Sequence, residues 1–419
     1  SGNKDHRILQ EAILGFGGIR LLEILGYENI ETYHMNEGHC SFLTLALLEK
    51  FNGDENKVRS MCHFTTHTPV EAGHDHFAID RCRKLLYGLL PENLKLPSWV
   101  QNSRLHMTEL GLYFSRSANG VSKLHGQVAQ DQFPDFSIDY ITNGVYHPYW
   151  LGKSFRELFD IKIQGWRINP NLLLNLENIS DEELEWAHWS HKNFLLDYAN
   201  SQTQKALSED VLTIGFARRA AEYKRARLIF SDMERLKKLG RNKIQIIFAG
   251  KAHPKDKNGK KIIQSVVKNA NALLGDVKVI FLENYNMWLG RLITSGVDIW
   301  LNTPLRPNEA SGTSGMKAAV NGVPNLSILD GWWAEGCEHG VNGWAIGEPE
   351  FCDDKADADS LYQILEQEVI PTYYNDKKKW TNLMRASIEK SIQFTAHRMI
   401  AEYEEKFYSK IEEPSIETV

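Results

Sequence analysis

The sequence has no apolar run of the ~18 residues that a membrane-spanning helix needs and no segment patterned like a secretory signal peptide. It has only five cysteines, an odd number without a CxxC pair, which argues against a disulfide framework and favours free thiols in a reducing compartment. It also lacks a surplus of basic residues, and its net charge of -6 argues against nucleic-acid or membrane-surface binding. We therefore expect a soluble cytoplasmic protein.

The composition is that of an ordinary globular protein. The 419 residues are 42% hydrophobic and 24% charged, and the chain is long enough for two domains with large cores. From residue 211 onward, nearly continuous apolar runs alternate with helical patterns, which predicts an α/β fold with a parallel, doubly wound sheet. The predicted strands are residues 211–217, 244–249, 277–282, 297–301 and 325–329.

Two motifs early in the chain look like binding sites but fit a structural role better. The glycine-rich residues 15–18 fall inside a predicted helix at 8–26, and no strand precedes them, so they indicate close helix packing instead of a phosphate loop. His63 and His67 have the spacing of zinc ligands on a helix. The residues between them favour an extended strand, where the two would lie about 13 Å apart, so we predict no metal site.

Glu37 and His39 lie at a predicted strand-to-helix turn, a usual place for site residues in α/β sheets. A capped helix with a surface histidine explains the same pattern equally well. We also predict one helix over residues 105–125 and a capping box at residues 180–183 that opens a long helix.

The chain is organised around a strand, a loop of small residues and a helix start between residues 297 and 320. Residues 311–315 (SGTSG) offer an unobstructed backbone and hydroxyl donors where a helix exposes free N–H groups, which suits a phosphate. We place Lys317 on the first helical turn, as a point charge or an amine nucleophile. A surface turn with a solvated lysine is the structural alternative.

A second motif follows the strand predicted at 211–217. Residues 218–225 (RRAAEYKR) hold four cations at the end of a sheet strand where ligands bind, which suits oxyanions. The alternative is a basic helix start on the surface.

Residue identity narrows these alternatives. Residues 309–317 (EASGTSGMK), with Asn321 and Gly322 after them, closely resemble the pyridoxal-phosphate segment of α-glucan (glycogen, starch, maltodextrin) phosphorylases, and residues 332–336 (WWAEG) resemble the short prokaryotic type. The resemblance implies two Rossmann-like domains of the GT-B glycosyltransferase type. It implies reversible phosphorolysis of α-1,4-glucan to glucose 1-phosphate with retention, and a Schiff base between Lys317 and pyridoxal 5'-phosphate.

The same resemblance implies roles for individual residues, and it implies no metal. Those implied to act in catalysis are Lys317, Arg219, Lys224 and His67. Those implied to hold the cofactor, besides Lys317, are Gly312, Thr313, Ser314, Arg218 and Tyr285. Those implied to bind glucan or glucose are Glu309, Ser311, Gly312, Asn143, His67, Tyr223 and Glu37.

The implied chemistry explains the clustered cations. The cofactor phosphate and the substrate phosphate must lie side by side in a dry cleft, and their repulsion requires neutralising charge. The substrate phosphate then protonates the glycosidic oxygen and attacks the oxocarbenium-like centre from the same face. No acid/nucleophile carboxylate pair of the glycosidase kind is needed, and none stands out in the sequence.

We predict the remainder of an N-terminal glucan-binding domain at residues 1–146, a pyridoxal-phosphate domain at 147–409 and a polar tail at 410–419. The family's glycine-rich phosphate loop is not found, so we expect the C-terminal piece of a phosphorylase that forms a homo-oligomer or associates with the missing segment. Two other hypotheses stay open: a nucleotide-sugar glucosyltransferase of the glycogen or starch synthase kind, and a truncated module that is inactive without a partner.

Overall fold

A computed structural model describes residues 3–90, 100–101, 103–203, 205–349 and 352–409. The chain divides into two compact units. One spans Ser1–Thr142 together with the chain from Ile400 onward, and the other spans Asn143–Met399. The units therefore differ from the predicted ranges: the division follows residue 142 instead of 146, and the last part of the chain joins the first unit. The predicted tail at 410–419 lies outside the described residues.

The first unit contains a parallel sheet of four strands in the order β1-β2-β6-β7, and a small antiparallel sheet in the order β3-β5-β4. Its strands are β1 (Tyr33–Asn36), β2 (Cys62–Thr65), β3 (His76–Ala78), β4 (Val100–Gln101), β5 (Arg104–His106), β6 (Ser117–Gly120) and β7 (Ile138–Tyr140). Its helices are α1 (Lys4–Ile24), α2 (Phe42–Lys50), α3 (Glu55–Met61), α4 (Ile79–Leu85), α5 (Met107–Tyr113) and α6 (Lys123–Gln132).

The single helix predicted over 105–125 is wrong. The segment consists of β5, α5, β6 and the start of α6. The sequence of β6 is Ser-Ala-Asn-Gly, which has low β propensity, but the strand pairs with β2 on one side and β7 on the other. Sheet pairing and burial thus override local propensity, which a sequence pattern does not contain.

The glycine-rich residues 15–18 lie inside α1, as predicted, and serve helix packing. A Cβ atom on Gly15 would lie 2.5 Å from the backbone nitrogen of Leu43 and 2.7 Å from the Cβ of Phe42, so only glycine lets α1 approach α2 this closely. Gly18 has no such neighbour within 4 Å.

The second unit is built on six parallel strands in the order β10-β9-β8-β11-β12-β13. They are β8 (Leu212–Ala217), β9 (Ile244–Ala249), β10 (Lys278–Leu282), β11 (Ile299–Asn302), β12 (Asn325–Ile328) and β13 (Gly343–Ile346). The helices are α7 (His147–Trp150), α8 (Lys153–Lys162), α9 (Asp181–Thr203), α10 (Met233–Gly240), α11 (Lys257–Ala272), α12 (Met287–Gly296), α13 (Thr313–Ala319), α14 (Trp333–Gly336), α15 (Asp354–Ile364), α16 (Ile370–Asn375) and α17 (Lys377–Ser391). Helix α18 (Ala396–Tyr403) begins in this unit, and its second half belongs to the first unit.

The five strands predicted for this unit are confirmed, and β13 was missed. Every residue of β8, β9, β11 and β12 is buried, because helices cover both faces of the sheet. The predicted capping box is present: Glu183 donates its N–H to Ser180 Oγ at 3.2 Å, and Ser180 donates its N–H to the Glu183 carboxylate at 3.0 Å.

All five cysteines are free thiols. Within the described part of the chain, no helix combines the length and the apolarity needed to cross a membrane.

Candidate active site

The second unit gathers its chemically active side chains at one edge of the sheet. Arg218 directly follows β8, Tyr285 follows β10, the loop with Glu309 follows β11 and Asp330 follows β12. The carboxyl ends of parallel strands lie at a common edge, which is where open α/β sheets bind ligands. The sheet order thus unites segments that are far apart in sequence.

Glu309 forms the centre of a buried ion cluster. Its carboxylate accepts a hydrogen bond from Arg218 Nη2 at 2.5 Å and another from Lys224 Nζ. The three side chains are at most 10% exposed. The aromatic ring of Tyr223 lies under the ammonium group of Lys224, with its centroid 4.5 Å from Nζ. The cluster confirms that cations 218 and 224 share one site with Glu309 instead of covering a solvated surface.

Burial governs the protonation of this cluster. Burial, followed by the charge of Arg218, lowers the pKa of Lys224 to about 7, although Glu309 opposes the change. Burial alone would raise the pKa of Glu309, but the positive charges of Arg218 and Lys224 outweigh it and hold that pKa below the ordinary value. Burial and then Glu309 raise the pKa of Tyr223. The site therefore keeps a carboxylate next to a lysine that can gain or lose a proton near neutral pH.

The small-residue loop before α13 is shaped by close contacts. Gly312 caps the helix with φ 80°, a left-handed conformation that favours glycine. A Cβ on Gly315 would lie 2.8 Å from Trp332 Nε1, so the buried indole packs directly on the backbone of the helix. Trp332 and Trp333 are both 1% exposed and belong to the core.

Asp330 fixes the position of Glu309. Its carboxylate accepts the N–H groups of Glu309 and Gly331, each at 2.9 Å. Burial raises the pKa of Asp330 to about 7; the hydrogen bond from the Glu309 N–H opposes the change, and the negative charge of Glu309 adds to it. Two carboxyl groups of different acidity therefore lie next to each other at the edge of the sheet.

Lys317 lies in the second turn of α13, not the first turn that the pattern predicted. Its Nζ is 3.9 Å from the centroid of the Trp150 ring, and burial lowers its pKa. No ion pair or side-chain hydrogen bond of Lys317 occurs among the described residues. Asn321 holds the tryptophan in place, because its Nδ2 donates to the carbonyls of Trp150 at 3.0 Å and Lys317 at 2.8 Å. A buried amine with a lowered pKa is a good nucleophile.

Three buried polar atoms, two on the loop and helix that carry Lys317 and one at the end of β8, lack a partner. Ser311 Oγ, Ser314 Oγ and Arg218 Nη1 make no hydrogen bond within the part of the chain that the structure describes. Buried polar groups are nearly always hydrogen-bonded in proteins, so such a group calls for an explanation. Hydroxyls and a guanidinium N–H are donors that suit oxygen-rich ligands such as a phosphate group or a sugar.

The other expected site residues on this unit are less tightly held. Arg219 is exposed, and Thr313 begins α13. Burial raises the pKa of the Tyr285 hydroxyl, and a Cβ on Gly290 would lie 2.9 Å from its oxygen. Asn143 is the first residue of the second unit, and its carbonyl accepts a hydrogen bond from Arg398 Nη2 at 3.1 Å.

In the first unit, Glu37 and His67 meet beyond the carboxyl ends of β1 and β2. The Glu37 carboxylate accepts the N–H of His67 at 2.7 Å and the hydroxyl of Thr68 at 2.8 Å. Glu37 has φ 82°, an uncommon conformation for a residue with a side chain. The ring of His67 contacts the Asn36 amide oxygen at 2.5 Å, and burial lowers the pKa of His67 while Glu37 opposes the change.

His63 has a structural role. It is fully buried in β2, and its two ring nitrogens contact Ser117 Oγ and Asn119 Oδ1, each at 2.8 Å. His39 lies in the short 3-10 turn that follows Glu37, and burial lowers its pKa.

The sequence analysis missed two residues of the second-unit site. Asp330 could have been found, because it directly follows a predicted strand at the same edge as the other candidates. Trp150 had no such signal, since only the fold brings it over Lys317.

Comparisons with known proteins identify the family of the chain. A family model described as carbohydrate phosphorylase matches residues 75–339, more than half of the chain. The chain belongs to the carbohydrate phosphorylase family. It is 42% identical to the maltodextrin phosphorylase of Thermococcus litoralis, 40% to the glycogen phosphorylase of Aquifex aeolicus and 34% to that of Mycobacterium tuberculosis.

These matches cover 97%, 98% and 97% of this chain but 54%, 67% and 55% of the three relatives, in the same order. The chain thus spans between half and two thirds of the length of these phosphorylases. Its mixed α/β fold with parallel sheets is consistent with this family. The family match confirms the resemblance drawn from residues 309–317.

Proposed function

We propose that this chain carries the cofactor-bearing part of an α-glucan phosphorylase, which reversibly converts α-1,4-glucan and inorganic phosphate to glucose 1-phosphate with retention. The observation that carries the proposal is the buried amine of Lys317 in α13, on the same helix as the unpartnered Ser314 hydroxyl and just after the unpartnered Ser311 hydroxyl. Membership of the phosphorylase family supports it. The two compact units would correspond to the two Rossmann-like domains of a GT-B enzyme.

We propose that pyridoxal 5'-phosphate is held by Lys317, with Gly312, Thr313 and Ser314 on the loop side. Arg218 and Tyr285 would complete its surroundings. The cofactor would supply a phosphate group that exchanges a proton with the substrate phosphate. The lowered pKa of Lys317 keeps its amine available for attachment, and the Trp150 ring keeps water from one side of it.

The residues for substrate phosphate would be Arg219 and Lys224. Lys224 is engaged by Glu309 in this structure, and its pKa of about 7 lets it be charged when an anion arrives. Binding of phosphate therefore strengthens the charged form of Lys224, since a neighbouring negative charge raises the pKa of a lysine. Arg219, which is exposed, would bring a second positive charge to the anion.

We assign the glucose hydroxyls to Glu309, Ser311 and Tyr223. Asp330 fixes the backbone of Glu309, Arg218 and Lys224 hold its carboxylate, and the Ser311 hydroxyl is available to a sugar hydroxyl. On the first unit, Glu37 positions the backbone of His67, and we assign both to the glucan at the cleavage point, with Asn143 as a further glucose contact.

The substrates would be α-1,4-glucan or maltodextrin, phosphate and, in reverse, glucose 1-phosphate. We further propose that the chain self-associates or associates with an upstream phosphorylase segment.

An activity assay tests the function. The chain is incubated with maltoheptaose, phosphate and pyridoxal phosphate, alone and with the upstream part of a phosphorylase chain, and glucose 1-phosphate is measured. We expect product in at least one of these conditions, and none with Lys317→Ala. The matched control is Lys238→Ala, which removes an exposed lysine of α10 and should retain activity. Glucosyl transfer from a nucleotide sugar, unaffected by Lys317→Ala, would contradict the proposal.

A further inference from the structure

A second cavity lies in the second unit, between α8, α9 and α12. Its volume is about 530 Å³, and it shares no lining residue with the site around Lys317. Pockets that hold small molecules in proteins have volumes of about 300 to 1,000 Å³. The cavity is therefore large enough for a metabolite.

The lining is basic on one side. Lys153, Arg156 and Arg291 line the cavity, whereas none of its described lining residues is acidic. Lys153 has a partner outside the cavity, since its Nζ lies 3.6 Å from Glu157. For Arg156 and Arg291, no ion pair or hydrogen bond of the guanidinium occurs within the described parts of the chain.

Arg156 is placed at a cost that an anion would reduce, whereas the guanidinium carbon of Arg291 lies 5.4 Å from the centroid of the Tyr149 ring. Both are partly buried, and burial, followed by the charge of Arg291, lowers the pKa of Arg156. Two like charges near each other in a partly desolvated cavity repel, and an anion between them would provide charge-assisted hydrogen bonds to both.

The floor of the cavity is polar and neutral. His191 Nε2 accepts the N–H of Ser154 at 3.0 Å, so the ring hydrogen is on Nδ1, which faces Ser295 Oγ at 3.5 Å. Burial lowers the pKa of His191 to about 4, with His188 and Arg156 adding to the effect. A neutral ring N–H and hydroxyl groups suit the ester and ring oxygens of a ligand.

The rim next to Arg291 is aromatic, since Trp288 lies three residues before Arg291 on α12. Trp288 and Phe194 are 42% and 56% exposed, unusual values for such large apolar side chains at the mouth of a cavity. Tyr198 steadies the tryptophan, because the two rings meet edge to face with centroids 5.0 Å apart. Rigid aromatic surfaces of this kind stack on planar or sugar rings.

We propose that this cavity binds a phosphomonoester, with the phosphate between Arg156 and Arg291 and the ring of the ligand against Trp288. The basic side accounts for the phosphate, and the aromatic rim accounts for a cyclic organic group. The site is independent of the function proposed above, because it uses none of the same residues.

Isothermal titration calorimetry on the whole chain tests the site with three probes: inorganic phosphate, ribose 5-phosphate and uridine 5'-monophosphate. We expect saturable binding of both esters and weaker binding of inorganic phosphate, which has no ring to contact Trp288. The variant Trp288→Ala shows which ring of the ligand contacts the tryptophan. If the contact is with the base, the variant lowers the affinity for uridine 5'-monophosphate and leaves the affinity for ribose 5-phosphate unchanged. If the contact is with the sugar, the affinity for both esters falls equally.

The charge requirement is tested with Arg156→Gln and Arg291→Gln. Each should weaken ester binding about tenfold, the loss expected for one charge-assisted hydrogen bond to phosphate. The matched control is Lys162→Gln, which removes one positive charge from the same helix, outside the cavity. An equal loss of affinity in the control and the arginine variants would show non-specific attraction and overturn the proposal. A binding curve of the unaltered chain that does not saturate at about 10 mM ester would also overturn it, because a weaker affinity would not define a site.

A measurement on the unaltered chain guards against misfolded variants. Phenylglyoxal modifies accessible arginines, and peptide mass spectrometry reports each position. Bound ester should protect Arg156 and Arg291 from modification and leave Arg167, which pairs with Asp160, unchanged. Failure to protect the two cavity arginines at saturating ester would contradict the proposal.

Discussion

Replacing Glu309 with glutamine removes the one negative charge that Arg218 and Lys224 share. Both cations would then be buried without a counter-charge, since the three side chains are at most 10% exposed. Breaking a buried ion pair by removing one partner costs about 3 to 5 kcal/mol. Lys224 can escape part of this cost by releasing its proton, because its pKa is already about 7. We therefore expect the free energy of unfolding to fall by about 3 kcal/mol at pH 7.

The assay is thermal unfolding of the second unit within the whole chain, in a buffer free of phosphate. A loss of about 3 kcal/mol corresponds to a decrease in Tm of about 6 to 12 °C for a unit of this size. The control is Glu283→Gln, an exposed carboxylate near Tyr285, for which we expect no significant change. The loss should be larger at pH 6, where Lys224 is charged, than at pH 9, where it is neutral and only Arg218 is unpaired.

Phosphate provides the decisive comparison. An anion bound by the two cations would replace the missing carboxylate, so phosphate should raise the Tm of Glu309→Gln by more than that of the unaltered chain. A variant as stable as the unaltered chain in phosphate-free buffer, or equal stabilisation of both by phosphate, would refute the account of the ion cluster.

Three further predictions concern the same site. Gly315→Ala places a Cβ 2.8 Å from the Trp332 indole nitrogen and should destabilise the chain by about 1 to 3 kcal/mol in urea unfolding. The control is Gly18→Ala, at a helical position with open space, which should stabilise the chain by about 0.5 to 1 kcal/mol. The opposite ranking of the two variants would contradict the close packing of Trp332 on α13. Asp330 binds its proton more tightly in the folded chain, with a pKa of about 7 against an ordinary 3.8, so the stability that this proton confers is lost as pH rises from about 4 to 7. Asparagine cannot lose this proton, so Asp330→Asn should gain stability relative to the unaltered chain between pH 5 and pH 8. Parallel profiles of unfolding free energy against pH would exclude the effect. Trp150→Ala admits water to Lys317, and the pKa of Lys317 should then rise toward its ordinary value, because the loss of burial outweighs the loss of the ring's attraction for the charge. The pH midpoint for pyridoxal phosphate incorporation should therefore move upward. An unchanged midpoint would refute the shielding role of Trp150.

Much of the second unit could be predicted because its strands are buried on both faces and therefore nearly continuous in apolar residues. The loop and helix around Lys317 could be located for a similar reason, since small residues and a helix start leave a local signature. β13 was missed because its sequence is Gly-Trp-Ala-Ile, too short and too mixed to stand out, and its place is set by pairing with β12.

Other features depend on contacts that no local pattern contains. β6 forms from Ser-Ala-Asn-Gly because two neighbouring strands pair with it. Trp150 reaches Lys317 through the hydrogen bonds of Asn321, a residue noted in the sequence only because it follows residues 309–317. The chain from Ile400 onward belongs to the first unit, and this too depends on tertiary packing. The sequence of α18 is that of an ordinary amphipathic helix and does not indicate the unit to which it belongs.

The central claim is that Lys317 holds pyridoxal phosphate. The most direct measurement is to reconstitute the purified chain with the cofactor, reduce it with borohydride and map the modified peptide by mass spectrometry. We predict one adduct on Lys317, accompanied by a near-ultraviolet absorbance band that Lys317→Ala lacks and Lys238→Ala retains. An adduct distributed over surface lysines, or a band that persists in Lys317→Ala, would contradict the claim.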